Sequence, residues 1–507
     1  MKNDSVKTLF LFAGPILAML FCLLIDLEPG RPQTTTMAAI AMLMAFWWIT
    51  EAVPLSITAL LPIVLFPLFG IMNGKAVSAV YINHIIFLFI GGFLMALAMQ
   101  RWQLHRRIAL SILLLFGGKP ALIMLGFMLT TAFLSMWISN TATAMLMVPI
   151  VLAIVVNLEE QFGAEKVKPL SIGLFLSIAY SASIGGIATL IGTPPNLSFT
   201  RILAITFPHA PEISFANWLF FALPITALLF AFVWLLLYLL YIPKQNRMVL
   251  DTSIFRDAAK TLGPIQREEK IVFTAFICMA LLWVFRSPID LGFATLPGWS
   301  QLLPYPALLN DGTVAIAVSL LLFVIPAQAA GEKILDEQVF SKLPWHIIFL
   351  FGGGFALASG FIESGLSEFL AGKLQGLQGA DSKLLVLCIT LMVTFMTELT
   401  SNTTTTEMLL PVLAAMAVAI QTNPLLLMVP ATLSASCAFM LPVATPPNAI
   451  VFGTNRVRVI DMVKTGLLIN LVGAALITAL TFIWGPRMLD IDTENFPAWA
   501  TNQQNNQ

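Results

Sequence analysis

Runs of about twenty apolar residues recur from one end of the chain to the other, the length an α-helix needs to cross the hydrocarbon core of a bilayer. In hydrocarbon no water can hydrogen-bond a bare backbone N–H or C=O, so a spanning segment must satisfy its own groups, as a helix does. The runs lie near 8–25, 37–50, 53–72, 84–100, 170–205, 217–242, 271–286, 312–327, 346–372, 425–455 and 464–486. Of the 507 residues 58% are hydrophobic and only 10% charged, where a soluble domain carries about 25% charged residues. Folded in water, such a chain would expose far too much apolar surface. The 26 basic and 26 acidic side chains balance, and no basic stripe points to a nucleic-acid partner.

Two further apolar regions, near 121–156 and 384–420, each carry a polar Ser-Asn-Thr cluster in the middle. An arm of that length can enter the bilayer and return on the same side, so both read as re-entrant hairpins, whose non-helical tips need shielding by protein or a water-filled cavity. With the N-terminus in the cytoplasm, 19 of the 26 Lys and Arg residues fall on the inside and 7 outside, as the positive-inside rule requires. The polar loop 243–270 then lies inside and divides the chain. The expected organisation is an N-terminal helix and loop (1–36), a first repeat (37–242), the cytoplasmic linker 243–270, a second repeat (271–490) and a disordered tail (491–507). The first run follows Lys2 and Lys7 as a signal peptide would, but no small-x-small site follows it, and an uncleaved helix is expected. Cys22, Cys278, Cys388 and Cys437 form no CxxC pair and read as small buried apolar residues rather than disulfide or zinc ligands.

The halves repeat. Ile85-Ile86-Phe87-Leu88-Phe89 before Gly91-Gly92-Phe93 recurs 262 residues later as Ile347-Ile348-Phe349-Leu350-Phe351 before Gly353-Gly354-Phe355. Ser139-Asn140-Thr141 recurs at the same offset of 262 as Ser401-Asn402-Thr403. Thr193-Pro194-Pro195-Asn196 recurs 252 residues on as Thr445-Pro446-Pro447-Asn448. In the threading the first copy starts outside and the second inside, an inverted repeat of the kind secondary transporters use. The predicted fold class is an all-α polytopic membrane protein of about eleven transmembrane helices plus two re-entrant hairpins in an inverted repeat.

Each half thus supplies two breaks in apolar surroundings. One is a hairpin tip, Ser135, Ser139, Asn140 and Thr141 or Thr397, Ser401, Asn402 and Thr403. The other is a TPPN break, where Pro-Pro interrupts the helical ladder and frees carbonyls upstream, as at Gly192 and Ala444. It also begins a new helix whose amides point into the gap. Carbonyls, hydroxyls and Asn amide oxygens are hard donors that suit a small alkali cation. Helix N-termini with Ser, Thr and Asn donors attract carboxylates. No Arg or Lys lies in either motif, so a bound dianion would need its countercharge from a co-bound cation.

Other polar residues admit two readings. Glu398 and Glu407 flank the second cluster and are either proton or ion sites or structural hydrogen-bonding groups for neighbouring backbone. The first half has Met136 and Met145 at the equivalent positions, which favours the structural reading. Glu51 sits at an expected cytoplasmic boundary and reads as an interface anchor, and His84 and His346, which begin corresponding spans, read as interfacial. The glycine pairs lack the Lys-Ser/Thr of a phosphate loop and read as close helix packing.

The two SNT tips, the two TPPN breaks and the stretch Ile49-Thr50-Glu51-Ala52-Val53-Pro54-Leu55 together resemble the divalent anion:sodium symporter (DASS) family, over nearly the whole chain. That family includes the INDY transporters and the mammalian sodium-dicarboxylate and citrate carriers. The resemblance implies a homodimer in which a scaffold domain holds the dimer and a transport domain slides across the membrane, each drawn from both repeats. It implies one sodium site at Ser135, Ser139, Asn140 and Gly192 and a second at Thr397, Ser401, Asn402 and Ala444. It implies a substrate site at Ser139, Asn140, Thr141, Thr193, Pro194, Ser401, Asn402, Thr403, Thr445 and Pro446. The expected function is sodium-coupled symport of a C4-dicarboxylate such as succinate, malate or fumarate, in the cell (inner) membrane. Carriage of sulfate or a tricarboxylate, and dicarboxylate exchange, stay open on the same motifs, with an ion channel behind them. No HExxH, GxSxG or paired intramembrane Asp supports an enzyme.

Overall fold

The computed structural model describes residues 2–242, 253–290, 295–329 and 331–501. The first half of the chain forms helices α1 (Lys2–Leu24), α2 (Pro32–Thr50), α3 (Leu55–Thr58), α4 (Leu61–Leu68), α5 (Gly74–Tyr81), α6 (His84–Arg101), α7 (Leu104–Leu113), α8 (Pro120–Ser135), α9 (Asn140–Phe162), α10 (Ala164–Ile187), α11 (Pro194–Thr206) and α12 (Phe215–Tyr241). The second half forms α13 (Ser253–Thr261), α14 (Arg267–Val284), α15 (Asp311–Val324), α16 (Trp345–Glu363), α17 (Leu366–Leu374), α18 (Ser382–Thr397), α19 (Asn402–Ala419), α20 (Pro424–Ala435), α21 (Pro446–Gly453), α22 (Val459–Ile483) and α23 (Gly485–Met488). Among the described residues the only strands are Ile289–Asp290 and Thr295–Leu296, paired antiparallel. The chain is therefore an all-α polytopic membrane protein.

Helix ends fall where local chemistry places them. Asn83 caps α6 by accepting from Ile85 N, Asn310 caps α15 through Thr313 N, and Asp381 caps α18 through Lys383 N and Leu384 N. Proline opens α8, α11, α20 and α21, where its missing N–H costs nothing. Several expected runs are therefore broken. The run 53–72 divides into α3 and α4, and 346–372 divides at Gly365, which sits in the left-handed region at φ 79°. The runs 170–205 and 425–455 divide at the TPPN motifs into α10 and α11 and into α20 and α21.

The repeat seen in the sequence recurs in the packing. Helix α10 packs on α8, α9, α12 and α21, and α20 packs on the matching set α18, α19, α22 and α11. Every residue of α20 is buried, as is α10 from Leu170 to Ile187, so these two helices form the centre of the molecule. Each hairpin arm crosses to the other half: α9 lies on α21, and α19 on α11. The glycine pairs serve close approach, as expected. A Cβ on Gly91 would lie 2.5 Å from Ala315 Cβ, and one on Gly353 would lie 2.6 Å from Ala59 Cβ, so α6 meets α15 and α16 meets α3 almost backbone to backbone. A second, smaller apolar cluster joins α2, α4 and α5 to α16 and α17 through Met37, Trp48, Phe66, Tyr81 and Phe361.

Two expectations differ in detail. Only Cys437 is buried, and Cys22, Cys278 and Cys388 are exposed on the outer faces of α1, α14 and α18, where a small apolar side chain is at home against lipid. The tail expected to be disordered from 491 remains packed as far as it is described: Ile491 and Ala500 are buried and the Trp499 ring meets Phe207. Residues 502–507 of that tail and residues 243–252 of the expected linker lie outside the described residues.

Candidate functional site

In the first hairpin, α8 ends at Ser135 and α9 starts at Asn140, with Ser139 as its N-cap. The Ser139 hydroxyl accepts from Ala142 N at 3.3 Å. Ser135 Oγ lies 2.5 Å from Asn140 Oδ1 and 2.7 Å from the Ala182 carbonyl, which ties the tip to the buried helix α10. Thr189 Oγ1 donates to the Met136 carbonyl at 2.5 Å and accepts from Gly192 N at 3.0 Å, which ties the tip to the break as well. Gly186 marks where these parts converge. A Cβ placed there would lie 2.7 Å from Asn140 Oδ1, 3.1 Å from Asn140 Nδ2 and 3.2 Å from the Gly192 carbonyl oxygen. The carboxamide of the tip and the carbonyl of the break therefore face one small space, without a charged side chain between them.

The second hairpin repeats the arrangement with Thr for Ser. Thr397 Oγ1 lies 2.8 Å from Asn402 Oδ1 and 2.8 Å from the Ala435 carbonyl. Ala182 and Ala435 are the middle residues of matching Ser-Ala-Ser triplets (181–183 and 434–436), one residue out of step with the TPPN offset of 252, so both tips hang from the same point of the repeat. Ser401 precedes α19 as its N-cap residue, without a side-chain cap bond. Ala444 is buried and its N–H donates to Leu441 O at 3.2 Å.

The TPPN asparagines hold the broken helices together. Asn196 Nδ2 donates to Thr189 O at 2.7 Å and to Gly186 O and Ile187 O at 3.3 Å each. Asn448 Nδ2 donates to Leu441 O at 3.0 Å and Ala438 O at 3.2 Å. Carbonyls at the end of α10 and in the segment after α20 thus find a donor inside protein, which a break at this depth requires. Thr193 and Thr445 share an extended backbone, at φ −141° and −140°, and are buried, as are Thr403 and Gly192. Ser139, Asn140, Thr141, Pro194, Ser401 and Asn402 are half-buried and Pro446 is exposed. Four helix N-termini begin at the motif residues: α9 at Asn140, α11 at Pro194, α19 at Asn402 and α21 at Pro446. The dipoles of these N-termini supply partial positive charge without a cationic side chain; α11 and α21 begin with two prolines that have no N–H, and Asn448 N already bonds Thr445 Oγ1 at 3.3 Å.

Glu398 and Glu407 part company. Glu398 Oε1 accepts from Phe439 N, Met440 N and Asn470 Nδ2 at 2.7, 2.8 and 2.7 Å, and Oε2 accepts from Leu441 N at 2.9 Å. It braces the segment between α20 and Ala444, the structural role its sequence context favoured. In the first half Thr189 does the corresponding work from the other side, on the carbonyl of Met136. Glu407 bonds no backbone; Ser198 Oγ of α11 is its partner. Thr189, Asn470 and the role of the TPPN asparagines were missed by the sequence reading. Only the asparagines had a signal there, their recurrence in the repeated motif. His84 and His346 are exposed at the starts of their helices, and Glu51 is exposed at the end of α2. A cavity of about 140 Å³, lined by His84, Thr200, Glu212, Asn310 and Asp311 among others, contains none of the tip residues.

The sodium-dependent dicarboxylate transporter SdcS of Staphylococcus saprophyticus is 42% identical to this chain over 492 residues, which cover 95% of the chain and 92% of that protein. SdcS of Staphylococcus aureus strain bovine RF122 / ET3-1 is 42% identical over 491 residues with the same coverage. Among solved structures, the Alcanivorax borkumensis YdaH transporter matches at TM-score 0.55 and 14% identity, covering 90% of this chain and 99% of its own. Neisseria gonorrhoeae MtrF matches at TM-score 0.52 and 15% identity, covering 80% and 81%. At these identities the two structures speak for the fold alone. The family described as the sodium:sulfate symporter transmembrane region matches residues 7–491. That span takes in both hairpins and both breaks, and the chain belongs to this family, the divalent anion:sodium symporters.

Proposed function

We propose that the chain is a sodium-coupled symporter of C4-dicarboxylates such as succinate, malate and fumarate, carrying them inward by an elevator-type motion. It is a multi-pass membrane transporter and not an enzyme, and sodium is the co-transported ion. The observation that carries the reading is the space at Gly186, faced by the Asn140 carboxamide and the Gly192 carbonyl. Neutral hard oxygens of this kind coordinate an alkali cation, and a dianion held at helix N-termini in low dielectric needs that cation's charge. The name of the relatives, sodium-dependent dicarboxylate transporter, supports the substrate class.

In this reading Ser135, Ser139, Asn140 and Gly192 hold one sodium ion, and Thr397, Ser401, Asn402 and Ala444 hold another. The substrate carboxylates meet Ser139, Asn140, Thr141, Ser401, Asn402 and Thr403 at the tips and Thr193, Pro194, Thr445 and Pro446 at the breaks. The moving body consists of α8–α12 and α18–α22, which pack on one another, and α2–α5 with α16 and α17 belong to the scaffold. The repeats face opposite ways in the membrane, the N-terminus is cytoplasmic, the membrane is the cell membrane, and the working unit is a homodimer. A second reading is sulfate transport, which the family description names.

The test is uptake of labelled succinate into proteoliposomes under a sodium gradient, with unlabelled sulfate and citrate as competitors. Asn140→Ala and Asn402→Ala should each abolish sodium-driven uptake while the protein remains folded. Undiminished uptake by both variants removes the assigned sites. Uptake driven equally by potassium removes sodium coupling, and stronger competition by sulfate than by malate moves the reading to sulfate.

A further inference from the structure

Glu407 lies in α19, fully buried, within a helix otherwise made of Thr, Leu, Ala, Met, Val and Pro after its first residue. Its Oε1 accepts from the Ser198 hydroxyl of α11. Its Oε2 has no hydrogen-bond partner among the described residues. Across from Oε2 stands Gly354 of α16, where any Cβ would overlap the carboxyl group. The carboxyl therefore fills a notch that exists because residue 354 has no side chain. The repeat does not call for this group, since the first half has the exposed Met145 at the corresponding position.

The helices packed on α19 are α2, α11, α16, α17, α18 and α20. The ionisable side chains they carry are Arg201 on α11, His346 and Glu363 on α16, Glu368 and Lys373 on α17, and Lys383 and Cys388 on α18; α2 and α20 carry none. None of these makes a hydrogen bond or ion pair with Glu407. A carboxylate in this notch would keep its charge away from water with one hydroxyl donor for two oxygens, far short of what a buried charge needs. A neutral carboxylic acid has no such requirement and presents one O–H and one C=O.

We propose that Glu407 is a proton-binding site at the seam between α19 and α16: it holds a proton while the two helices are packed as seen, and it ionises when the seam opens to water. The proton then acts as a ligand of the packed arrangement, so raising the pH favours the opened one by mass action. The protonation stands on the geometry of the notch alone. The opening rests on the proposed sliding of α19 past the scaffold helix α16.

The direct test is infrared difference spectroscopy of the purified full chain, comparing the wild type with E407Q near neutral pH. A carbonyl band of a protonated carboxylic acid should be present in the wild type and absent from E407Q. In S198A, which removes the one donor to Oε1, that band should remain and shift to higher frequency. An identical carboxylic-acid region in wild type and E407Q overturns the proposal, and should E407Q fail to fold, an unshifted band in S198A does the same. The second arm is the ratio of E407Q to wild-type sodium-driven succinate uptake at matched pH values, in which titration of the substrate itself cancels. The ratio should change by about tenfold per pH unit on the side where opening or repacking is limiting, and a flat ratio overturns the coupling to transport. A missing band together with an altered sodium requirement in E407Q would make Glu407 a cation ligand and overturn the proton. If neither protein takes up succinate with sodium, the dicarboxylate reading fails while the infrared result still decides the proton.

Discussion

Gly186→Ala tests the proposed sodium site by adding one methyl group to it. A Cβ at this position would lie 2.7 Å from Asn140 Oδ1, 3.1 Å from Nδ2 and 3.2 Å from the Gly192 oxygen, whereas ordinary van der Waals contact begins at 3.4 Å. Oδ1 must retreat by about 0.7 Å (3.4 less 2.7) and the Gly192 oxygen by about 0.2 Å (3.4 less 3.2). Neither can yield freely, because Asn140 Oδ1 is bonded to Ser135 and Gly192 N to Thr189. Overpacking of this order costs about 1–3 kcal/mol. If the cost falls on the sodium-bound form, sodium affinity weakens by about 5- to 160-fold. The measurements are the sodium dependence of succinate uptake and the rise in melting temperature that sodium produces in the purified protein. Ala438, whose carbonyl accepts from Asn448 as that of Gly186 does from Asn196, already carries a Cβ, and there the helix has ended at Ala435. Ala438→Gly is therefore the control and should leave the sodium dependence within about twofold, a difference of some 0.4 kcal/mol. A folded Gly186→Ala protein with wild-type sodium dependence in both assays would refute the reasoning.

Two further substitutions probe the frame around the site. Glu398→Ala leaves the amides of Phe439, Met440 and Leu441 and the Asn470 carboxamide without their acceptor; at about 1–3 kcal/mol for each of the two fully buried donors, Phe439 N and Asn470 Nδ2, stability should fall by at least ~2 kcal/mol. A melting temperature in detergent equal to that of the wild type would count against the bracing role. Arg286→Met removes the buried partner of Asp311, which lies 2.6 Å from Arg286 Nε and also accepts from Phe215 N at 2.8 Å. The cost should be about 3–5 kcal/mol, and Arg286→Met with Asp311→Asn should recover part of it. A double variant less stable than the single one would show that the pair is not the cause.

Much of this architecture was legible in the sequence, because the signals involved act over a few residues. A run of apolar residues selects a spanning helix wherever it occurs, and Pro-Pro breaks a helical ladder without regard to tertiary context. The spans, the two hairpins, the breaks and the repeat at offsets of 262 and 252 are therefore consequences of local chemistry read along the chain. The tertiary structure decided which group answers which. It set the tips on Ala182 and Ala435 and turned the TPPN asparagines onto carbonyls at the end of α10 and after α20. It gave two acidic residues of similar appearance opposite surroundings, four N–H donors for Glu398 and one hydroxyl for Glu407. It kept 491–501 packed although their composition reads as a tail, since Trp499 finds Phe207, just past the end of α11 and far away in the chain. Partners such as Thr397 with Ala435 and Ser198 with Glu407, 38 and 209 residues apart, leave no trace in local composition, because their free energy arises only once the chain has closed on itself.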